Sequence, residues 1–455
     1  MKNYILGLYY KLLACCAKCY IKKHKPYIIG INGSVWKTSC RMIIAQTIKK
    51  FLHDHKTYTS SKNFNWELGL SLSVFQIEQF NPDVKSFVLT LKTIISKLIF
   101  GKKPYDILIL EYGIDRPGEM DFLLSIAKPH IGVFTAIDSV HSEQFWDPAK
   151  IASEESKMIK NTLELAFLNE ADGYAMQLRE HISIDSLVYQ TEWYETKADI
   201  YFQNEKFTLL DPSGTIWVEY DCSIKNRKHH IQTNVLGKIN YGYIGVALTI
   251  VDVLDYKFNK KKQAQKLENQ LELKLEYQLQ PGRLSVLKWV EDSVIVDSTY
   301  NSSPLSVRKI IDTVHTMKNQ LFPQRKVWLL LWDMRELGDL TEKEHRQLAW
   351  YVAQFADRVF LVGQNMIYHT WDELEKIGYD RANIYKFDKS TEAGEIIKRM
   401  LKEPWYEVVL VCKWSQNTIF LEEAVKKLLK NESDIRMLTR QSSRWLKKKE
   451  HYFTS

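Results

Sequence analysis

Residues 27–54 set the tightest condition on what this chain can fold into. The apolar run Tyr27-Ile28-Ile29-Gly30-Ile31 has strand length, and residues 38–54 (TSCRMIIAQTIKKFLHD) repeat apolar side chains at helical spacing. Between them lies Gly30-Ile31-Asn32-Gly33-Ser34-Val35-Trp36-Lys37-Thr38. A strand that turns through a glycine-bearing loop into a helix is the setting of a phosphate-binding loop. There, backbone N–H groups and the helix N-terminus hold phosphate oxygens. Lys37 is placed to reach the β- and γ-phosphates of ATP, and the Thr38 hydroxyl to bind Mg²⁺. Such a loop normally carries Gly just before the Lys; here the residue is Trp36. Two readings follow: a loop that binds ATP, or a decayed loop that does not.

The same alternation continues along the chain. DILILEYG (106–113) and HIGVFTAI (130–137) are strand-length apolar runs, which with the helical stretches predict a parallel, doubly wound sheet. Residues 187–235 change to alternating β-type segments with a turn at Asp211-Pro212-Ser213-Gly214, read as a β-rich flap. A helix is expected over 240–255, then a lysine-rich surface helix. After Gln280-Pro281-Gly282 a second α/β alternation begins: SVIVDST, KVWLLLW, RVFLVG and EVVLVCK. The expected division is an N-terminal apolar and basic helix (1–25), an ATP-binding central domain (26–275) and a C-terminal Rossmann-like α/β domain (276–455).

Residues 4–20 form a short apolar helix interrupted by Lys11 and Lys18. It packs on the domain behind it, or lies on a membrane surface with Lys22, Lys23 and Lys25 at the lipid. The chain has no uncharged apolar run of membrane-spanning length. A net charge of +8, from 63 basic and 55 acidic residues, makes no case for nucleic acid. Six Cys form no disulfide framework and fit a reduced, cytoplasmic compartment, and Cys16 and Cys19 are a lone pair at CxxC spacing. A monomer is expected.

The loop GINGSVWKTS resembles the GxTGSxGKT loop of the Mur ligase family, which builds the peptidoglycan precursor. The resemblance extends through most of the chain. TSSKNFNWELG (59–69) is similar to the NFNxEIG segment of the D-alanyl-D-alanine-adding branch. LEYGIDRPGEM (110–120) resembles EMGxxxPGEI, and TAIDSVHSE (135–143) resembles TNIxxAHLE. In the second half, Pro281-Gly282-Arg283-Leu284 resembles PGRxE and DSTYNSSP (297–304) resembles DDSYNANP. LWDMRELG (331–338) resembles LGDMxELG, and Lys413-Trp414-Ser415 resembles KGS. Order and spacing are shared. No Asp-Asn-Pro-Arg stretch of the diaminopimelate-adding branch is present.

The resemblance implies ATP-dependent amide bond formation. A muramoyl-peptide carboxylate, or a similar one, is activated as an acyl phosphate. It is then attacked by D-Ala-D-Ala or a similar amine. Gly30, Asn32, Gly33, Ser34, Lys37, Thr38 and Ser39 would hold the phosphates, Arg283 would stabilise phosphate charge, Asp297 and Asn301 would hold the ribose and base, and Asn240 is a further nucleotide-binding residue. Thr38 and Glu111 would hold a first Mg²⁺ and His141 a second, with Glu155 also among the metal ligands. Lys37, His141, Arg283 and Lys413 would serve the chemistry, with Ser415 beside Lys413. Asp333 is read as a structural turn. The family carries a Lys that becomes carbamoylated about fourteen residues after its His; here Glu155 stands at that place, with Lys157 as the alternative.

Two features stand apart. Gly is 18 and Trp 13, and Trp36, Trp66, Trp332 and Trp414 fall inside the motifs, three of them where the family has Gly. Trp146 and Trp289 also sit in turn-like settings. One explanation is UGA codons read as Gly in the source organism; Trp217, Trp328 and Trp445 sit in ordinary apolar settings. The resemblance also implies a preceding domain that holds UDP, whereas the loop here starts about 30 residues in. The expectation is that UDP is recognised differently, by a partner, or that the acceptor is not a UDP-sugar peptide. The alternatives are thus a Mur-like ligase with another acceptor, or a nucleotide-binding pseudoenzyme.

Overall fold

The computed structural model describes residues 2–61, 67–81, 83–138, 147–192, 194–209, 215–259, 271–288, 293–403, 407–413 and 420–454. The chain opens with helix α1 (Lys2–His24), then β1 (Tyr27–Asn32), α2 (Lys37–Phe51) and β2 (Thr57–Tyr58). Next come α3 (Glu67–Val74), α4 (Val84–Phe100), β3 (Ile107–Glu111), α5 (Glu119–Ile126) and β4 (Ile131–Phe134). They are followed by α6 (Pro148–Lys160), β5 (Leu165–Asn169), α7 (Gly173–Arg179) and β6 (Asp185–Tyr189). Strands β7 (Ile200–Leu209), β8 (Ile216–Ile224) and β9 (Arg227–Thr233) lead to α8 (Lys238–Asn259) and β10 (Glu272–Leu275). All ten strands form one sheet, in the order β10-β9-β8-β7-β6-β5-β4-β1-β3-β2. From β2 to β7 the pairing is parallel, while β7-β8 and β8-β9 are antiparallel. The β-rich segment around 187–235 therefore continues the same sheet. The lysine-rich stretch beyond Asn259 lies outside the described residues.

Strand β1 shows why this sheet is covered on both faces. Ile29 and Ile31 pack with Ile43, Ile44 and Ile48 of α2 and with Val246 and Ile250 of α8. Ile28 points the other way, into a cluster with Leu13 and Ala17 of α1, Leu70 of α3, Ile94 of α4 and Leu123 of α5. Successive side chains of a strand face opposite sides, so an all-apolar run demands two helical layers.

The second sheet holds β11 (Ser285–Lys288), β12 (Val294–Ser298), β13 (Lys326–Trp332), β14 (Arg358–Val362), β15 (Ile384–Phe387) and β16 (Val408–Lys413). Its order is β11-β12-β16-β13-β14-β15, parallel except at β11. Helix α9 (Pro304–Leu321) follows β12; Pro304 starts it, and Ser303 and Ser306 cap each other in a capping box. Asp333 is the structural turn expected: its carboxylate accepts from the Met366 amide at 2.8 Å, and a Cβ on Gly363 would meet it at 2.8 Å.

Candidate active site

In parallel sheets ligands gather at the carboxyl ends of the strands. Here β1, β3, β12 and β16 end at one shared cleft of about 400 Å³.

The loop after β1 is built against the end of β4. Ser34 N donates to Ala136 O at 2.8 Å, and Thr135 Oγ1 donates to Val35 O at 2.7 Å. Gly33 has φ +122°, and a Cβ there would meet Thr135 Oγ1 at 2.2 Å, so no other residue fits. Trp36 caps α2 at φ 61° and ψ 4°, a left-handed conformation, with no side-chain cap. Its indole packs beside Val35, Ala136 and Leu305 and lines the cleft. Lys37 Nζ donates to the carbonyls of Gly33 and Ser34.

Glu111, at the end of β3, is the hub of a buried network. It accepts from Thr38 Oγ1 at 3.1 Å and from Arg41 Nε at 3.0 Å. Arg41 is 2% exposed, and its other arm reaches Thr59 Oγ1 at 2.8 Å and Ser60 O. The sequence reading missed Arg41. Its signal was a charge one helical turn after Thr38, on the same face as the loop residues.

Glu155, on α6, approaches the loop from the other side. Its carboxylate accepts from Asn32 Nδ2 at 3.0 Å and from Gly33 N at 3.2 Å. Burial raises its pKa, opposed by Lys37, the Gly33 amide and Asn32. Lys157 points elsewhere: it pairs with Asp121 at 2.6 Å and Glu154 at 2.8 Å, and those hydrogen bonds raise its pKa.

From the turn before β11, Arg283 lays its guanidinium over the Tyr300 ring at 4.1 Å. Burial lowers its pKa, while Tyr300 and Glu111 oppose that. Lys413 ends β16, donating to Asn301 O at 2.6 Å and Ser298 Oγ at 3.2 Å. Its pKa falls to about 7 through burial first and the Arg283 charge second, opposed by Asp297 and Asp138.

Lys37, Thr38, Ser39, Ser34, Glu111, Asn240, Arg283, Asn301 and Lys413 thus meet in one cleft, as does Tyr300, for which the sequence suggested no role. Others do not join them. Gly30 is interior to β1, paired with Leu110 and Gly132, and its closeness to Pro129 and Tyr112 explains its missing side chain. Asn32 is turned to Glu155. Asp297 is fully buried within β12 and outside the cleft lining, its carboxylate accepting from the Thr299 amide at 3.0 Å. His141, Trp66, Trp146, Trp289, Trp414 and Ser415 lie outside the described residues.

The cleft suits a polyanion. Ser34 Oγ and Arg283 Nε are buried there with no partner among the described residues, a costly state that an acceptor-rich anion would relieve; Asn240 Oδ1, equally orphaned, would take a donor from elsewhere on the ligand. Thr38 and Glu111 bring hydroxyl and carboxylate oxygens together, the donor chemistry of a hard cation such as Mg²⁺. Among the described residues no group of three His, Cys, Asp or Glu side chains gathers to hold a metal.

Residues 31–251 match the family described as Mur ligase middle domain, and residues 282–412 match the Mur ligase glutamate ligase domain. The chain is 25% identical over 368 residues to the UDP-N-acetylmuramoyl-tripeptide--D-alanyl-D-alanine ligase of Borreliella burgdorferi, covering 78% of this chain and 66% of that protein. It is 24% identical over 417 residues to the ligase of that name from Bacillus subtilis, covering 91% and 78%. The chain thus spans about two thirds of the first of these relatives. Among solved structures, MurF from Acinetobacter baumannii superposes with a TM-score of 0.68 at 17% identity, covering 94% of this chain and 80% of that one. MurF ligase from Thermotoga maritima in complex with ADP gives 0.64 at 18% identity, covering 94% and 83%.

Proposed function

From its membership of the Mur ligase family we propose that this chain is an ATP-dependent ligase adding D-Ala-D-Ala to a muramoyl tripeptide in peptidoglycan precursor synthesis. The observation that carries the reading is the shared cleft. Lys37 at the start of α2 and Glu111 at the end of β3 line the same cleft as Arg283, just before β11, and Lys413 at the end of β16, with orphaned polar groups among them. The domain division we propose is 1–25, 26–275 and 276–455.

Carboxylates and amines do not condense unaided at neutral pH, so the carboxylate needs a leaving group. Transfer of the γ-phosphate of ATP to it gives an acyl phosphate and ADP; the amine then attacks the acyl carbon and phosphate departs. Both steps crowd negative charge, and preorganised cations lower that cost. Gly33, Ser34, Lys37, Thr38 and Ser39 cradle the phosphates. Arg283 neutralises charge from the opposite wall, with Asn240 and Asn301 positioned for the remainder of the nucleotide. Lys413 serves the phosphates or the incoming amine. Thr38 and Glu111 would hold a first Mg²⁺ and His141 a second, with Glu155 in the place of the carbamoylated Lys, and the ions would supply charge neutralisation. The reaction belongs in the cytoplasm, where ATP is available, and residues 4–25 provide a basic face for contact with its bounding membrane.

The backbone at Trp36 favours a second reading, a family member that has lost nucleotide binding. Supplying ATP, a muramoyl tripeptide and D-Ala-D-Ala and reading ADP and product mass separates the two. The ligase reading requires a peptide lengthened by D-Ala-D-Ala.

A further inference from the structure

We propose that α1 and α4 together form a docking face for an anionic lipid bilayer. These outer helices lie apart from the cleft, so the docking face is independent of the ligase reading.

The charge of the chain is segregated. Residues 1–26 and 84–105 contain eleven Lys and no Asp or Glu. Removing those eleven from the 63 basic residues leaves 52 against 55 acids. The whole positive excess therefore sits on two segments, and the rest of the chain is slightly acidic.

The fold brings the two segments side by side. Tyr9 donates to Phe87 O at 3.2 Å, and their rings meet edge to face. Lys23 donates to Leu98 O at 2.7 Å. These pairings make α1 and α4 parallel neighbours. On α1 the inner stripe is Leu13, Ala14, Ala17 and Tyr20, and the outer one runs through Leu8, Lys11, Leu12, Lys18 and Lys22. On α4 only Thr90 and Ile94 are buried.

The outer surface is also unusually apolar. Of eighteen large apolar or aromatic side chains exposed among the described residues, eight belong to these helices. Val84 is 80% exposed, Leu89 62%, Ile99 61% and Phe100 81%. Lysines 85, 92, 102 and 103 flank them, all exposed. Apolar side chains bordered by long-stemmed cations suit the boundary between acyl chains and headgroups, where Lys stems lie along the apolar layer and ammonium groups meet phosphate. The nearest acids in sequence are engaged locally: Asp83 caps α4 and Asp106 pairs with Lys103. No helix among the described residues is long and apolar enough to cross a membrane, so the contact lies along the surface. A second copy of the chain is a poor occupant, because it would set lysines against lysines.

The test is co-sedimentation of the full chain with vesicles of phosphatidylglycerol and phosphatidylcholine in equal parts, and with phosphatidylcholine alone. The expected result is binding about tenfold or more tighter to the anionic vesicles, weakening as salt is raised. The fourfold variant Lys18→Glu, Lys22→Glu, Lys85→Glu, Lys92→Glu should lose it. So should Leu89→Ser with Ile99→Ser, which changes exposed side chains only. Circular dichroism and the urea unfolding midpoint, unchanged in both variants, show that the fold survives. Equal partition to both vesicle types, retention by both variants, or a self-association that the variants abolish without any vesicle binding would overturn the proposal.

Discussion

At Trp36 the backbone adopts φ 61°, a region that costs an L-residue roughly 1–2 kcal/mol and that glycine enters freely. The indole also lines the cleft that the phosphates need. Trp36→Gly should therefore tighten ATP binding by about tenfold or more, ~1.4 kcal/mol, measured by calorimetry; equal affinity would show that the loop tolerates the indole. Trp332 behaves differently. It is 1% exposed, packed in the apolar cluster of the second sheet, in strand backbone that does not require glycine. Reading the codons settles both positions: UGG at 36 and 332 excludes recoding. Glu155 carries its own prediction. Carbamates form from neutral amines and CO₂, whereas Glu155 is a fixed carboxylate and the Lys157 ammonium is held by Asp121 and Glu154. Activity should not change when bicarbonate is removed, and a dependence on it would transfer the role to Lys157. At this scale the places of Lys37, Thr38 and Glu111 were legible because motif spacing puts them at strand and helix ends, while Gly30 and Asn32 lie outside the cleft that the motif suggested for them. Arg41 and Tyr300 were not legible, because their places depend on which side chains from distant segments meet.

Between elements, the Arg41–Glu111 pair ties α2 to β3 in a nearly dry setting. Removing one partner leaves an uncompensated buried charge. Arg41→Met should cost about 3 kcal/mol in urea unfolding, and adding Glu111→Gln should return part of it. Strict additivity of the two changes would deny the coupling. In the second sheet, β12 and β16 are paired so that Ser298 faces Lys413, one residue after Asp297. Burial raises the Asp297 pKa from 3.8 to about 6. A carboxyl whose folded pKa lies above its unfolded value binds protons more tightly when folded. Stability is thus lost as pH climbs from the unfolded to the folded pKa, then levels off. Asp297→Asn should stabilise the protein by on the order of 2 kcal/mol near pH 7 and by little near pH 4. A gain that is the same at both values would contradict the assignment. The strands themselves were readable from their apolar runs, since burial on both faces leaves little room for polar residues. The segment read as a flap was not fully readable: alternation identifies strands but not the sheet they join, and β7 to β9 extend the central sheet.

For the whole molecule, the cleft exists because two sheets present their strand ends to one another. Leu305 N donates to Asp138 at 3.2 Å, and Lys309 pairs with Glu192 across the same boundary. The sequence places motifs in each half, yet nothing in periodicity says that residues 117 or 167 apart must converge; that follows only from the packing of α9 against the first sheet's strand ends. The most direct test of the account is ADP release with product mass, run with ATP, a muramoyl tripeptide and D-Ala-D-Ala on the chain carrying Trp36→Gly. The account predicts ADP release that needs both substrates, a peptide lengthened by D-Ala-D-Ala, and loss of both signals in Lys37→Ala with its fold intact. ADP formed without a lengthened peptide, or turnover that survives Lys37→Ala, would contradict it.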